Sequence, residues 1–326
     1  GLVAVALAGS LPVALLVLAV AGFAWMGVLS SLNANAQMVL PGWVRARARL
    51  LGVTHCTGSA YGLAAIDAIC RLFGADVPVG TCADRAFLSD GQALCYTPAV
   101  AERFEHGYPP DAPQPDALDA FCRALRGQPD GSVTFVGIGP MKNIARFLAD
   151  GTGGALMRAK ARRMVVMAGR FETEPPVPEW NVEMDGPSAR YVAENWAGPL
   201  DFCPFEALAD VLTGECLRGT DSPVETAYRL HTRGIMLRPS WDLETVAAAV
   251  CGARAPFAWS EPGEVTIDER GVTRFTRHAG GNRRYLRLAG DAGEAAAELE
   301  ALLARAVRTM AEKESAAAGI PECDVV

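Results

Sequence analysis

The stretch SVTFVGIGPMKNIARFLAD, residues 132 to 150, decides the fold. Its first half, up to Gly139, is a short run rich in Val, Thr and Phe, as a buried strand requires. Gly137, Gly139 and Pro140 break that run. The residues that follow carry apolar side chains at helical spacing, and Pro140 is expected in the first helical turn, where its missing N–H costs nothing. A strand that turns directly into a helix is the repeating unit of a parallel sheet.

The same rhythm extends outward. Upstream, LLGVTHC (50–56) reads as a buried strand, AYGLAAIDAICRLFG (60–74) as a helix closed by Gly, and VPVG (77–80) as a short strand end. A Pro-rich loop over 107–117 leads into the helix ALDAFCRALRG. Downstream, RRMVVMAG (162–169) is a second buried strand, GPSARYVAENW (186–196) a helix, PLDF a strand end and SWDLETVAAAVCG (240–252) a helix. The pattern then changes. GEVTIDERGVTRFTRHAGGNRRYLRL (263–288) alternates Val, Thr, Ile, Phe and Tyr like short antiparallel strands, and the Ala/Glu-rich run 292–315 closes the chain as an amphipathic helix. The expected fold class is α/β: a mostly parallel central sheet with helices on both faces and a small C-terminal antiparallel strand element. The expected organisation is one domain over 45–315 and a frayed tail over 316–326, preceded by an uncharged apolar segment over 1–44.

That first segment has no charged side chain before Arg45, and residues 1–29 are long and apolar enough to span a bilayer. Ala34 and Ala36 give a small-x-small pattern like a signal-peptidase site, but the basic region of a signal is missing. Membrane anchor, signal or buried opening segment all stay open. With the first two the protein is membrane-associated or secretory, and otherwise cytoplasmic.

The 326 residues can bury a sizeable core unaided, and the nine scattered cysteines contain no C-x-x-C pair, so they are expected as reduced, buried small hydrophobes. A net charge of −7 argues against nucleic acid as a partner, which needs a basic face. The serines lack a G-x-S-x-G elbow, and the four histidines have no ligand spacing. GIGPMKN lacks both G-x-G-x-x-G and G-K-[ST], which leaves Pro140 as a helix starter the simpler reading and a backbone carbonyl there free to face a cation.

In a doubly wound sheet, ligands bind beyond the carboxyl ends of the strands. THCTGS, GIGPMKN, MAGRFETEPPVPEWN and FCPFE all fall at such ends and should converge on one crevice. Within the third, Glu179, Trp180 and Asn181 stand side by side, a mix that grips a polyhydroxylated ligand or caps its own backbone.

The blocks SVTFVGIGPMKNIARFL, RRMVVMAGRF, EWNVEMDGPSARYVAENW and RPSWDLETVAAAV, in this order, resemble the inosine/uridine-preferring nucleoside hydrolase family, from about Leu50 to Leu288. The resemblance implies a nucleoside hydrolase-like α/β domain that cleaves the N-glycosidic bond of ribonucleosides with a bound Ca2+, acting in purine metabolism, and an oligomer of like chains. A hard cation held by oxygens would bind the ribose diol and a water, and would lower that water's pKa. By the same resemblance, Glu179 and Asn181 bind ribose hydroxyls, Met167 lies near the ribose, and Asp242 and the Ile138 carbonyl are metal ligands. Glu206 falls at another strand end. Trp241 stands where some members carry a histidine that protonates the leaving base, so it can only stack. Ser59 stands where many members have asparagine.

The chain departs from the pattern at its start. The family's aspartate cluster should fall around residues 27–38, which read GVLSSLNANAQM, and Asp67 is the first acidic residue of the sequence. Asn33, Asn35 and Gln37 can offer amide oxygens but cannot act as a general base. The catalytic base is therefore unassigned. Three readings stay open: an unrelated opening segment joined to the domain, a noncatalytic nucleoside-binding or membrane-tethered scaffold protein, and an active site rearranged around another base.

Overall fold

The computed structural model describes residues 49–88 and 96–317. The apolar segment 1–44, its amides at 33, 35 and 37, and the tail beyond 317 lie outside the described residues. Among the described residues, no helix is long and apolar enough to cross a membrane.

The chain opens with β1 (Val53–His55), α1 (Gly62–Leu72) and β2 (Val79–Thr81), and β1 and β2 pair in parallel. Next come α2 (Thr97–Arg103), α3 (Ala117–Leu125) and β3 (Val133–Gly137). Asp116 starts α3 by accepting from the Leu118 N–H at 2.7 Å, the usual way to satisfy one of the orphaned first-turn donors. The deciding stretch folds as its pattern predicts, with one shift: the helix after β3 is α4 (Lys142–Ala149), entered at Met141, so Pro140 precedes the first turn. The sequence reading did not anticipate α5 (Gly151–Lys160), whose three glycines and absent amphipathic stripe hide a helix that Asp150 caps by accepting from the Gly153 N–H at 2.6 Å.

β4 (Ala161–Met167) follows, then α6 (Trp180–Met184), α7 (Gly186–Asn195), β5 (Leu200–Cys203) and α8 (Phe205–Leu208). After β6 (Leu212–Thr213) and α9 (Pro223–His231) the chain returns through β7 (Arg238–Pro239), antiparallel to β6, into α10 (Trp241–Cys251). The end of the chain is β8 (Phe257–Trp259), β9 (Gly263–Ile267), β10 (Thr273–Arg277), β11 (Arg283–Leu288) and α11 (Ala292–Ala317).

The main sheet has seven strands in the order β10-β9-β11-β5-β4-β3, with β8 on the side of β11. β3, β4, β5 and β11 run parallel, while β8, β9 and β10 add antiparallel pairs. The two-residue period of β4 covers both faces. Met164 and Val166 pack with Phe147, Val192 and Phe202 under α4 and α7, while Val165 and Met167 pack with Val246 and Leu299 under α10 and α11. A third cluster joins β1, β2 and α1 to α9 and α11 through Leu63, Ile66, Val79 and Tyr228. The described cysteines are all thiols, as their scatter predicts.

One polar knot lies on the α10 face. Asp201 of β5 is buried, and it accepts from Arg284 at 3.0 Å and from Arg163 at 3.4 Å. Arg163 also donates to the Ala248 and Ala249 carbonyls at the end of α10. The arginine thus neutralises a buried carboxylate and adds donors at a helix C-terminus, where the Ala248 carbonyl also accepts from the Gly252 N–H at 2.9 Å.

Candidate active site

Because β3, β4 and β5 are parallel, Ile138, Met167 and Phe205 leave the same edge of the sheet. Ile138, Met167, Trp180 and Trp241 share one buried cluster there. Four of the positions marked in the sequence are therefore neighbours.

The chain leaves β4 through Gly169, whose φ is +89°. A Cβ in this left-handed conformation would be strained, and it would come within 3.0 Å of the Phe171 ring. The Gly169 carbonyl accepts from the Phe205 N–H at 3.0 Å, which binds the exit of β4 to that of β5. Arg170 is fixed next to it: its N–H donates to Thr273 Oγ1, and Thr273 Oγ1 donates to its carbonyl, both at 2.9 Å.

The loop from Gly169 then returns at Glu179. Its side chain does what a self-capping loop would do, with Oε1 accepting from the Asn181 N–H at 3.0 Å to start α6. Glu179 Oε2 is buried and has no hydrogen-bond partner among the described residues. Asn181 Nδ2 donates to the Met167 carbonyl and to Met167 Sδ, each at 3.0 Å, and Asn181 Oδ1 is left without a partner. Met167 is thus a packing residue that also orients the amide. Burial pushes the Glu179 carboxyl up to about 7, against the pull of the nearby backbone N–H groups of Asn181, Gly169 and Val182 and of the Arg170 charge.

Across the crevice, Trp241 Nε1 donates to the Phe205 carbonyl at 2.9 Å, and the two rings stack at 5.0 Å. The Arg170 guanidinium lies 3.7 Å from the centre of the Phe205 ring, so cation, phenyl and indole form a three-layer wall. Glu206 starts α8 but turns Oε1 to the Phe171 and Glu172 N–H groups, at 2.7 and 3.0 Å. Ser59, buried near the end of β1, accepts from the Tyr61 N–H at 3.3 Å.

Asp242 is buried in the first turn of α10, and its Oδ1 finds no partner among the described residues. Burial pushes its carboxyl up to about 7, while the Arg238 charge pulls it down. Its own charge helps to hold up the Cys56 thiol, which burial pushes to about 12, so the end of β1 also reaches this corner. Arg238 is buried, and its Nη1 has no partner among the described residues. His55 lies within β1, with Nε2 3.2 Å from Thr57 Oγ1.

These donors do not fit a calcium ion, which takes about six to eight oxygens. Asp242 and the Ile138 carbonyl are what the resemblance offers, a guanidinium stands beside the former, and the sequence has no acidic residue ahead of Asp67. Among the described residues, no group of three His, Cys, Asp or Glu side chains could hold a metal.

Arg170, Phe205 and Arg238 were not legible in the sequence. Arg170 and Arg238 lie inside the blocks RRMVVMAGRF and RPSWDLETVAAAV, but sequence alone gives neither a partner, and only the tertiary fold places the first on a ring and buries the second.

Comparison with known proteins agrees with the geometry. The computed fold superposes with a TM-score of 0.63 on a plant nucleoside hydrolase, at 16% identity over 86% of this chain and 96% of that one. The inosine-uridine preferring nucleoside hydrolase of Bacillus anthracis gives a TM-score of 0.62, also at 16% identity, over 86% and 96%. The type III effector protein XopQ, in a complex with adenosine diphosphate ribose, gives 0.61 at 17% identity over 88% and 90%. No curated protein matches the sequence. The family model of the inosine-uridine preferring nucleoside hydrolases matches residues 34–317. The chain belongs to the inosine-uridine preferring nucleoside hydrolase family.

Proposed function

We propose that the chain hydrolyses the N-glycosidic bond of a ribonucleoside, releasing the base and ribose. The carrying observation is the group of unpartnered buried oxygens: Glu179 Oε2 and Asn181 Oδ1 on one wall and Asp242 Oδ1 on the other. Buried polar atoms without partners cost stability, and a ligand rich in hydroxyls supplies the missing donors.

In this reading Glu179 Oε2 and Asn181 Oδ1 accept from ribose hydroxyls, and Met167 holds the amide in place. Water adds to C1′ as the C1′–N bond breaks and its electron pair leaves with the base. Asp242 Oδ1 takes the proton from that water, a role the absent aspartate cluster cannot fill; the base leaves as its anion and picks up a proton from solvent water, and Asp242 gives its proton back to solvent. Trp241, locked on Phe205, offers an apolar face to the departing base, since an indole N–H already given to a carbonyl has no proton to lend. That the similar effector protein XopQ takes adenosine diphosphate ribose supports a ribosyl ligand in this crevice.

The test is release of free ribose from inosine and uridine. The wild type should release it, Asp242→Asn should lower kcat by about 100-fold or more, and Asn181→Ala should raise KM more than it lowers kcat. A second reading, a noncatalytic nucleoside-binding protein, is favoured by one fact: residues 27–38 carry no carboxylate. Inosine that binds in calorimetry but yields no ribose selects that reading. No binding and no release overturns both.

A further inference from the structure

Cys56 and Cys82 are brought side by side by the pairing of β1 with β2. The two strands are parallel in the register Val53↔Val79, Thr54↔Gly80 and His55↔Thr81, and the next step of that register sets Cys56 opposite Cys82. The chains are still together just beyond it, since Thr81 Oγ1 donates to the Thr57 carbonyl at 3.5 Å. Opposite residues of a parallel pair point to the same face, and neighbouring strands lie about 4.8 Å apart. That spacing falls inside the Cα separation of roughly 4.4–6.8 Å that a disulfide spans. Both residues are buried, and both are thiols. Burial pushes the Cys56 thiol up to about 12, and the neighbouring Cys82 sulfur adds to this ahead of Asp242.

The two thiols are not equivalent. Cys82 borders a cavity of about 550 Å³ shared with Thr81, Arg85, Gln114 and Asp116, which gives a small molecule a way in. Burial raises the Cys82 thiol as well, but the Asp84 N–H and the charges of Lys142 and Arg146 pull it down. Nearby cations favour the thiolate, which is the reacting form. Cys56 faces the Asp242 charge instead.

We propose that Cys56 and Cys82 form a redox pair, which hydrogen peroxide converts to a disulfide across the exits of β1 and β2, with Cys82 reacting first. The Cys82 thiolate attacks one peroxide oxygen and the O–O bond breaks. The hydroxide that leaves takes up the proton the thiol gave and departs as water. Cys82 is then a sulfenic acid, oxidised by two electrons. The Cys56 sulfur attacks the Cys82 sulfur, its proton joins the departing hydroxyl as a second water, and the S–S bond closes. Two thiols and one peroxide thus give one disulfide and two waters. The bond itself is the readout, so the pair stands or falls apart from the ribosyl reading of the crevice.

The experiment is mass spectrometry of the native full chain after equimolar hydrogen peroxide, with the remaining thiols blocked before digestion and no reductant present. The wild type should yield Cys56 joined to Cys82, and dithiothreitol should part them. Cys56→Ser should stop at a Cys82 sulfenic acid, which dimedone traps, and Cys82→Ser should leave Cys56 a thiol. Should either serine variant fail to fold, the wild-type digest decides alone. A wild type in which both residues stay thiols overturns the inference. So does Cys82 joined to a different cysteine, such as Cys95 outside the described residues, or dimedone found on Cys56 of Cys82→Ser.

Discussion

Glu179 uses Oε1 to start α6, and its buried Oε2 has no partner among the described residues. The sequence offered a self-capping loop and a grip on a ligand as alternatives; the structure shows the first, and the proposed ribose contact uses the oxygen that the cap leaves over. Glu179 and Asp242 share an electrostatic consequence. Burial holds both folded carboxyls near 7, above their ordinary values of 4.5 and 3.8. Between those limits the folded chain binds more protons than the unfolded one, so stability falls as pH rises. The contribution is fully present below the unfolded values and lost as pH passes through 7. Thermal unfolding followed from pH 5 to pH 8.5 should show Tm declining across this window, and Asp242→Asn should flatten the decline. A Tm that rises with pH there, or an unchanged slope in the variant, contradicts the buried carboxyls. The sequence could mark Glu179, Asn181 and Asp242 as candidates because short local motifs carry them. Arg170 and Arg238 were not marked, because an arginine's role is set by what lies opposite it in space.

Among the elements, β4 followed from its apolar run and α4 from apolar spacing, while α10, buried at Trp241, Asp242 and continuously from Glu244 to Ala249, followed from a long apolar run of helical length. α5, β6 and β7 escaped. Glycines weaken the helical signal of the first, and strands of two residues are too short for any period to register. The loop expected before Asn181 proved to be the cap of α6, a helix of five residues. β5 has a special weight through Asp201, a buried carboxylate that pairs with the largely buried Arg163 and the partly exposed Arg284. Asp201→Asn leaves two guanidiniums facing a neutral amide, and breaking a buried pair from one side costs about 3–5 kcal/mol. Urea unfolding should show a loss of that size with an unchanged m-value. A loss below about 1 kcal/mol, the range of surface pairs, would mean that water reaches this knot.

On the scale of the whole molecule, the parallel topology followed from the alternation of strand and helix, and it alone predicted that four separated segments would meet. What the sequence could not convey is that β1 and β2 stand apart from the seven-stranded sheet. Among the described residues they ladder only to each other. Polar ties to the rest include the Asn143 side chain at the start of α4, which donates to the His55 carbonyl at 2.8 Å, and the Thr81 N–H, which donates to the Pro115 carbonyl at 2.9 Å. Cys56, just past β1, feels the Asp242 charge, which brings this small pair near the start of α10. Among the described residues this pair is secured by packing and scattered hydrogen bonds rather than by a continuous ladder to the main sheet, and such a pair can open without disturbing the sheet behind it. Hydrogen–deuterium exchange should therefore find the amides of Val53–His55 trading protons with solvent earlier than those of Val165 and Phe202. Asn143→Ala should hasten the first set and leave the second alone. The molecule would then carry its reactive corner on a hinged panel, and entry of a ligand would be timed by how often that panel swings.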